Sequence, residues 1–210
     1  MNALQSVVIM DRTSDHLCSL IGSRICHDLI SPLGAIANGL ELVQLSHAAA
    51  GPEMDLISDS VRNATARVRF FRVAFGAARD GVLGADDARA ILAELEPGAR
   101  VSYQWDVTRP LDRSVARLAF LAILCVESAL PFGGAIRIEE QGARITVRGH
   151  GARMQVEHTL WSALSGAGPL SDVRPAQVEF LLLPQWASDA GQRISVEATT
   201  EAVALSIGSA

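Results

Sequence analysis

The sequence predicts an α+β protein in two parts: an N-terminal antiparallel helical hairpin that forms a four-helix bundle in a dimer, and a C-terminal α/β sandwich. Two observations predict it. From residue 13 to about residue 78 the apolar residues recur at spacings of three and four with no strand-like alternation, the mark of amphipathic helices. Further along, short alternating runs interleave with one strongly apolar helical stretch, the pattern of a sheet covered by helices. Residues 80–87 (DGVLGADD), with two glycines and no stripe, mark the boundary, so the expected domains are 1–80 and 81–210.

The first helix carries the stripe Leu17, Ile21, Ile25, Leu29, Leu33, Ile36, Leu40 and Val43. Thr13 or Ser14 is placed to cap its start, and residues 48–52 (AAAGP) supply a glycine stop and a proline restart. The second helix carries Met54, Ile57, Val61, Ala64, Val68, Phe71, Phe75 and Ala78, stepping alternately by three and four as a heptad seam does. A first helix of roughly 35 residues is a rod of about 50 Å. One hairpin cannot cover both of its apolar faces, so two chains are expected to pair. In the second part, residues 101–107 read as a strand, 114–130 as an apolar helix, and the turn 131–134 leads into a strand at 135–139. Residues 144–148 form a further strand, 176–187 a helix interrupted near Pro184, and 194–197 with 202–207 a closing hairpin. The sheet is expected to be mostly antiparallel.

The 210 residues are 49% hydrophobic and 20% charged with net charge −5, which excludes disorder, a collagen-like fibre and a disulfide scaffold. All 18 basic residues are arginine, so lysine Schiff-base chemistry and a P-loop lysine are excluded. Cys18, Cys26 and Cys125 are too few and too irregularly placed for a disulfide framework or a zinc site, and no metal site is expected. The N-terminus lacks a targeting pattern, and the most apolar stretch carries Arg117 and Glu127 in a span too short to cross a bilayer. A cytoplasmic protein with no membrane contact is therefore expected. The acidic balance argues equally against a nucleic-acid partner.

His27 stands apart from the other histidines. At 100° per residue it lies about 180° from the centre of the apolar stripe near Ile36, on the face the bundle core does not use. Its neighbours on that face, Ser23, Ser31, Gly34 and Asn38, are small, with Leu20 and Ile30 at the edges, and small residues let a partner surface approach closely. Asp28 follows directly, and a carboxylate there can hold one ring nitrogen while the other acts as nucleophile. Arg24 lies one turn back, near enough to pair with a phosphoryl group. Pro32 removes a backbone donor just past the site. The second helix is polarised, with Glu53, Asp55 and Asp59 near its start and Arg62, Arg67, Arg69, Arg72 and Arg79 in the remainder. If the hairpin folds back at Gly51, His27 faces residues near 72 to 75, so Arg69 and Arg72 are expected at a partner interface. The same polarity also complements the helix dipole without any partner, and both readings stand.

The run His27-Asp28-Leu29-Ile30-Ser31-Pro32-Leu33, followed by Gly34 to Ile36, resembles the H-box of sensor histidine kinases: histidine, an acid, leucine, two variable positions, proline and leucine. The resemblance implies that His27 is phosphorylated and that the hairpin is a dimerisation and phosphotransfer domain. Residues 82–210 are similar in order and length to the GHKL-type ATPase domain of those kinases, and they depart from it at its chemistry. Leu124 and Ser128 stand where the two N-box asparagines belong, and Gly149 stands where the adenine-binding aspartate belongs. Arg153 replaces a glycine, and residues 165–169 are no glycine-rich lid. No ATP and no other cofactor are expected.

An intact H-box hairpin joined to a degenerate ATPase-like domain resembles the ChpT family of bacterial histidine phosphotransferases, over the whole chain and most specifically over residues 23–40. The resemblance implies a homodimeric phosphotransferase that is not an ATP-dependent kinase. It would take a phosphoryl group from the aspartate of a hybrid-kinase receiver domain to His27 and hand it to response regulators, with Mg²⁺ carried by the receiver. Two alternatives stay open. One is a non-catalytic dimeric interaction module or inhibitor of a kinase or regulator, in which His27 is dispensable. The other is an atypical histidine kinase, which ATP alone would phosphorylate.

Overall fold

The computed structural model describes residues 3–46, 52–77, 80–97, 99–166, 170, 173–199 and 201–209. Two long helices come first, α1 (Ala3–Ser46) and α2 (Pro52–Ala74). They run antiparallel, since Gly39 meets Ile57 while Asp28 meets Arg67 further along. Gly39 sets that crossing: a Cβ there would stand 2.6 Å from the Ile57 side chain, so only glycine lets the helices approach this closely. Helix α1 starts well before the expected cap at Thr13 or Ser14, because the preceding residues contain no glycine or proline and a polar residue alone does not stop propagation. Helix α2 opens with Pro52 at its first position, where the missing N–H costs nothing. The expected glycine stop at Gly51 and the last seam residue, Ala78, lie outside the described residues.

The C-terminal half is a mixed sheet with helices packed on it. Its elements are β1 (Val82–Leu83), α3 (Ala85–Leu95), β2 (Val101–Trp105), β3 (Leu111–Asp112), α4 (Arg113–Ser128), β4 (Gly134–Gln141), β5 (Arg144–His150), α5 (His158–Leu164), α6 (Glu179–Asp189), β6 (Gln192–Ala198) and β7 (Ala202–Ser209). The main sheet has the order β2-β4-β5-β7-β6, and β1 pairs with β3 separately. Only β2 and β4 run parallel within the main sheet, joined through α4; the other neighbours are antiparallel. Helix α3 begins inside the expected boundary at 80–87 and runs on to Leu95, and its buried stripe is only Ala88 and Leu92. Pro184 does not interrupt α6: Phe180, Leu182, Leu183 and Ala187 are buried around it, and this packing holds the helix across the lost hydrogen bond.

One core runs through both halves. Leu20 of α1 and Phe70, Phe71 and Ala74 of α2 belong to the same buried cluster as Phe120 of α4 and the inward residues of β5 and β7. Phe70 lies 4.9 Å from Phe120 between ring centroids. Phe71, which the heptad pattern assigns to the seam between chains, is thus spent within its own chain. The periodicity identifies a covered face without naming the element that covers it.

Candidate functional site

His27 sits on the outer face of α1 with its side chain 76% exposed. Its Nδ1 lies 3.1 Å from Oδ1 of Asp28, whose own side chain is only 12% exposed. The other Asp28 oxygen, Oδ2, lies 3.2 Å from Nε of Arg24 and 3.7 Å from Nη1 of Arg67 on α2. An exposed imidazole is therefore anchored on a shielded carboxylate held by two guanidinium groups. With Nδ1 engaged, Nε2 is the ring nitrogen left for chemistry.

Arg24 is placed differently from the expectation of a phosphate-pairing residue. Its side chain is 14% exposed, and its Nη1 donates 2.8 Å to the carbonyl of Ala176 and lies 3.8 Å from Oε1 of Glu179. It is a clasp between α1 and the turn that opens α6, because docking of α1 on the C-terminal half turns this position inward. The same docking buries Leu20, expected at the partner surface, to 7% exposure within the core. Ser23, Ile30, Ser31, Gly34 and Asn38 are exposed, and a Cβ at Gly34 would meet nothing. Arg67, rather than residues 72 to 75, comes level with the H-box, since the Gly39–Ile57 crossing sets the register of the hairpin. Arg69 pairs with Glu94 of α3, and Arg72 is exposed.

Below Asp28 a cleft is lined by Arg24, Arg67, Arg100, Glu127, Ser128 and Glu179. Burial pushes the Glu179 carboxyl up to about 7, against a smaller opposing pull from Arg24. Glu127 is raised in the same way, with Arg67 and Arg24 pulling it down, and burial raises the phenol of Tyr103, which is hydrogen-bonded to Glu127. Sequence reasoning missed Arg67, Glu127 and Glu179 as parts of this site. A signal was present: each acid stands inside an otherwise apolar run, Leu-Cys-Val-Glu and Val-Glu-Phe-Leu, and a buried acid requires a partner.

Comparison with known proteins decides what this arrangement belongs to. Residues 85–202 match the family model described as the histidine phosphotransferase C-terminal domain. The protein phosphotransferase ChpT of Brucella abortus (strain 2308) is 34% identical over 197 residues, covering 90% of this chain and 94% of the relative. The chain belongs to the ChpT family of histidine phosphotransferases. A solved structure described as a bacterial phosphotransferase aligns with TM-score 0.76 and 33% identity over 99% of this chain and 97% of that one. The histidine kinase AdeS of Acinetobacter baumannii covers 86% of this chain at 12% identity and TM-score 0.43, too distant to argue from. The histidine phosphotransferase family makes the protein a component of a two-component phosphorelay.

In this phosphotransferase the three positions compared above with the kinase pattern are occupied by intramolecular contacts. Leu124 is buried, and the Ser128 hydroxyl donates 2.7 Å back to the Cys125 carbonyl of its own helix. Gly149 has no room for a side chain, since a Cβ there would lie 2.4 Å from Val126 Cγ1. Among the described residues no group of His, Cys, Asp or Glu is placed to hold a metal ion, and no helix is long and apolar enough to cross a membrane.

Proposed function

We propose that His27 is the phosphoryl carrier of this phosphotransferase. It takes the group from the aspartyl phosphate of a hybrid-kinase receiver domain and passes it to receiver aspartates of response regulators, in a cytoplasmic homodimer. The observation that carries this reading is the contrast within one dipeptide, an exposed His27 held through Nδ1 by a shielded Asp28. The Nδ1–H tautomer, donating to Asp28, leaves the Nε2 lone pair for in-line attack on phosphorus. As the Nε2–P bond forms, the P–O bond to the receiver's carboxylate breaks and that carboxylate leaves with the electron pair. The ring keeps its Nδ1 proton and becomes a phosphoimidazolium, and Asp28 offsets the positive charge. Transfer to the next receiver reverses these steps. The divalent cation belongs to the receiver, so this chain contributes the nucleophile and its orientation.

Dimerisation is supported by apolar residues that the single chain leaves uncovered along the predicted seam: Leu33 at 55% exposure, Leu40 at 48%, Met54 at 39%, Val61 at 46% and Val68 at 43%. A second copy covers such a stripe by four-helix packing. Ser23, Ile30, Ser31, Gly34 and Asn38 then offer a low surface around His27 for the receiver, and exposed Arg72 attracts the acidic pocket that receivers carry. The deciding test is incubation with a phosphorylated receiver domain followed by detection of acid-labile phosphate on the wild type and on His27→Ala. Uptake should vanish in the variant while its melting temperature stays unchanged, because an exposed side chain contributes little stability. Uptake at the wild-type rate would move the function to a non-catalytic interaction module.

A further inference from the structure

The buried carboxylate of Glu179 has no place in the scheme above, yet it touches the site. Its side chain is 1% exposed, neither oxygen has a hydrogen-bond partner among the described residues, and Oε1 lies 3.8 Å from Nη1 of Arg24. Arg24 in turn lies 3.2 Å from Asp28 Oδ2, and Asp28 Oδ1 lies 3.1 Å from Nδ1 of His27. Four side chains thus form one line from the first turn of α6 to the imidazole on α1.

We propose that Glu179 is a positioning residue for phosphoryl transfer, acting through Arg24 to set how firmly Asp28 holds His27. The inference rests on the reading of His27 as phosphoryl carrier. Asp28 has one charge and three claimants, the guanidinium groups of Arg24 and Arg67 and the imidazole, and only Arg24 also touches Glu179. When Glu179 is ionised it shares the Arg24 cation, and Asp28 is released to orient Nδ1–H and to offset the phosphoimidazolium. When Glu179 is neutral, Arg24 draws on Asp28 alone and the imidazole is held less firmly. The groups facing this line are Arg67 on α2, Arg100 ahead of β2, Tyr103 on β2, and Cys125 and Glu127 on α4. Cys125 is held neutral by burial. Glu127 is also raised by burial, so the variant must isolate Glu179.

Glu179→Gln keeps the shape and removes the titration. With the Glu179 carboxyl pushed up to about 7, the ratio of wild-type to variant transfer rates from a phosphorylated receiver should be near unity at pH 6. It should rise to about threefold at pH 8. A purely structural role gives a ratio that does not change with pH. Arg24→Met supplies the second arm: Glu179→Gln added to it should have no further effect on rate at pH 8, because the connection is already cut. A flat ratio, or an undiminished effect of Glu179→Gln in the Arg24→Met background, overturns the proposal. These outcomes are separate from the failure of the underlying reading, which shows as phosphate uptake by His27→Ala.

Discussion

Helices α1 and α4 carry comparable apolar content and use it in opposite ways. In α4, ten of sixteen residues are buried, including every residue from Leu118 to Val126. In α1, of the residues from His16 to Val43, only Leu20, Pro32 and Gly39 are buried. Helix α4 is surrounded by its own chain, and α1 is covered on one side only. The lesson is that a helix can be complete as a fold element and incomplete as a surface. What it leaves open is a stripe of exposed apolar residues on one face and an exposed histidine on the other.

The sharpest way to break that contrast is Val68→Asp. In the proposed dimer, symmetry brings two such carboxylates to one seam, and burying unpaired charge costs several kcal/mol. Light scattering should show the variant as a monomer at concentrations where the wild type is a dimer. A folded wild-type monomer at micromolar concentration would refute the seam itself. The corresponding overload of the closed region is Gly149→Asp, which restores the carboxylate of the kinase pattern. With Val126 only 2.4 Å from the new Cβ, overpacking should lower stability by about 3 kcal/mol in chemical denaturation. Calorimetry with magnesium should detect no micromolar ATP binding to the wild type or this variant.

The parts of the molecule that were legible in the sequence are those whose signal is local. Helical spacing located α1 and α2, the apolar block located α4, and the alternation of residues 202–207 located β7 within the closing hairpin. The position of His27 opposite Ile36 followed from 100° per residue alone. The illegible parts depend on contacts between distant residues. Arg24 meets the carbonyl of Ala176, 152 positions away, and no periodicity in α1 announces that turn. Leu20 looked like a rim residue and Phe71 like a seam residue for the same reason. Helices α3 and α5 escaped notice because each buries too few residues to write a stripe, Ala88 and Leu92 in one and Leu160, Trp161 and Leu164 in the other.

Between the open and closed regions lies Glu179, and its proton tests how closely they are joined. The ordinary carboxyl value of 4.5 is raised to about 7 in the folded chain. Between these values the folded state keeps a proton that the unfolded chain has released, so stability falls as pH rises through that window and the deficit is complete above it. Glutamine does not titrate. The stability of Glu179→Gln relative to wild type should therefore increase by about 2 kcal/mol from pH 5 to pH 8 in parallel denaturant titrations. A difference that is flat in pH would mean that water reaches this carboxylate freely.

The smallest expected effect falls on the residue nearest the chemistry. Asp28→Asn keeps the size of the side chain and retains an oxygen that can accept from Nδ1 of His27, so the imidazole stays oriented. It loses the charge that offsets the phosphoimidazolium, and it leaves Arg24 and Arg67 facing each other with one counter-charge fewer. The exposed ring is also stabilised by solvent, which limits the loss, and transfer should slow by about tenfold, on the order of 1.4 kcal/mol. Asp28→Ala removes the orientation as well and should be slower again. Equal rates for the two variants would mean that the charge of Asp28 does all the work. A wild-type rate in Asp28→Asn would mean that orientation does all of it, and the two guanidinium groups behind Asp28 would then serve the fold rather than the transfer.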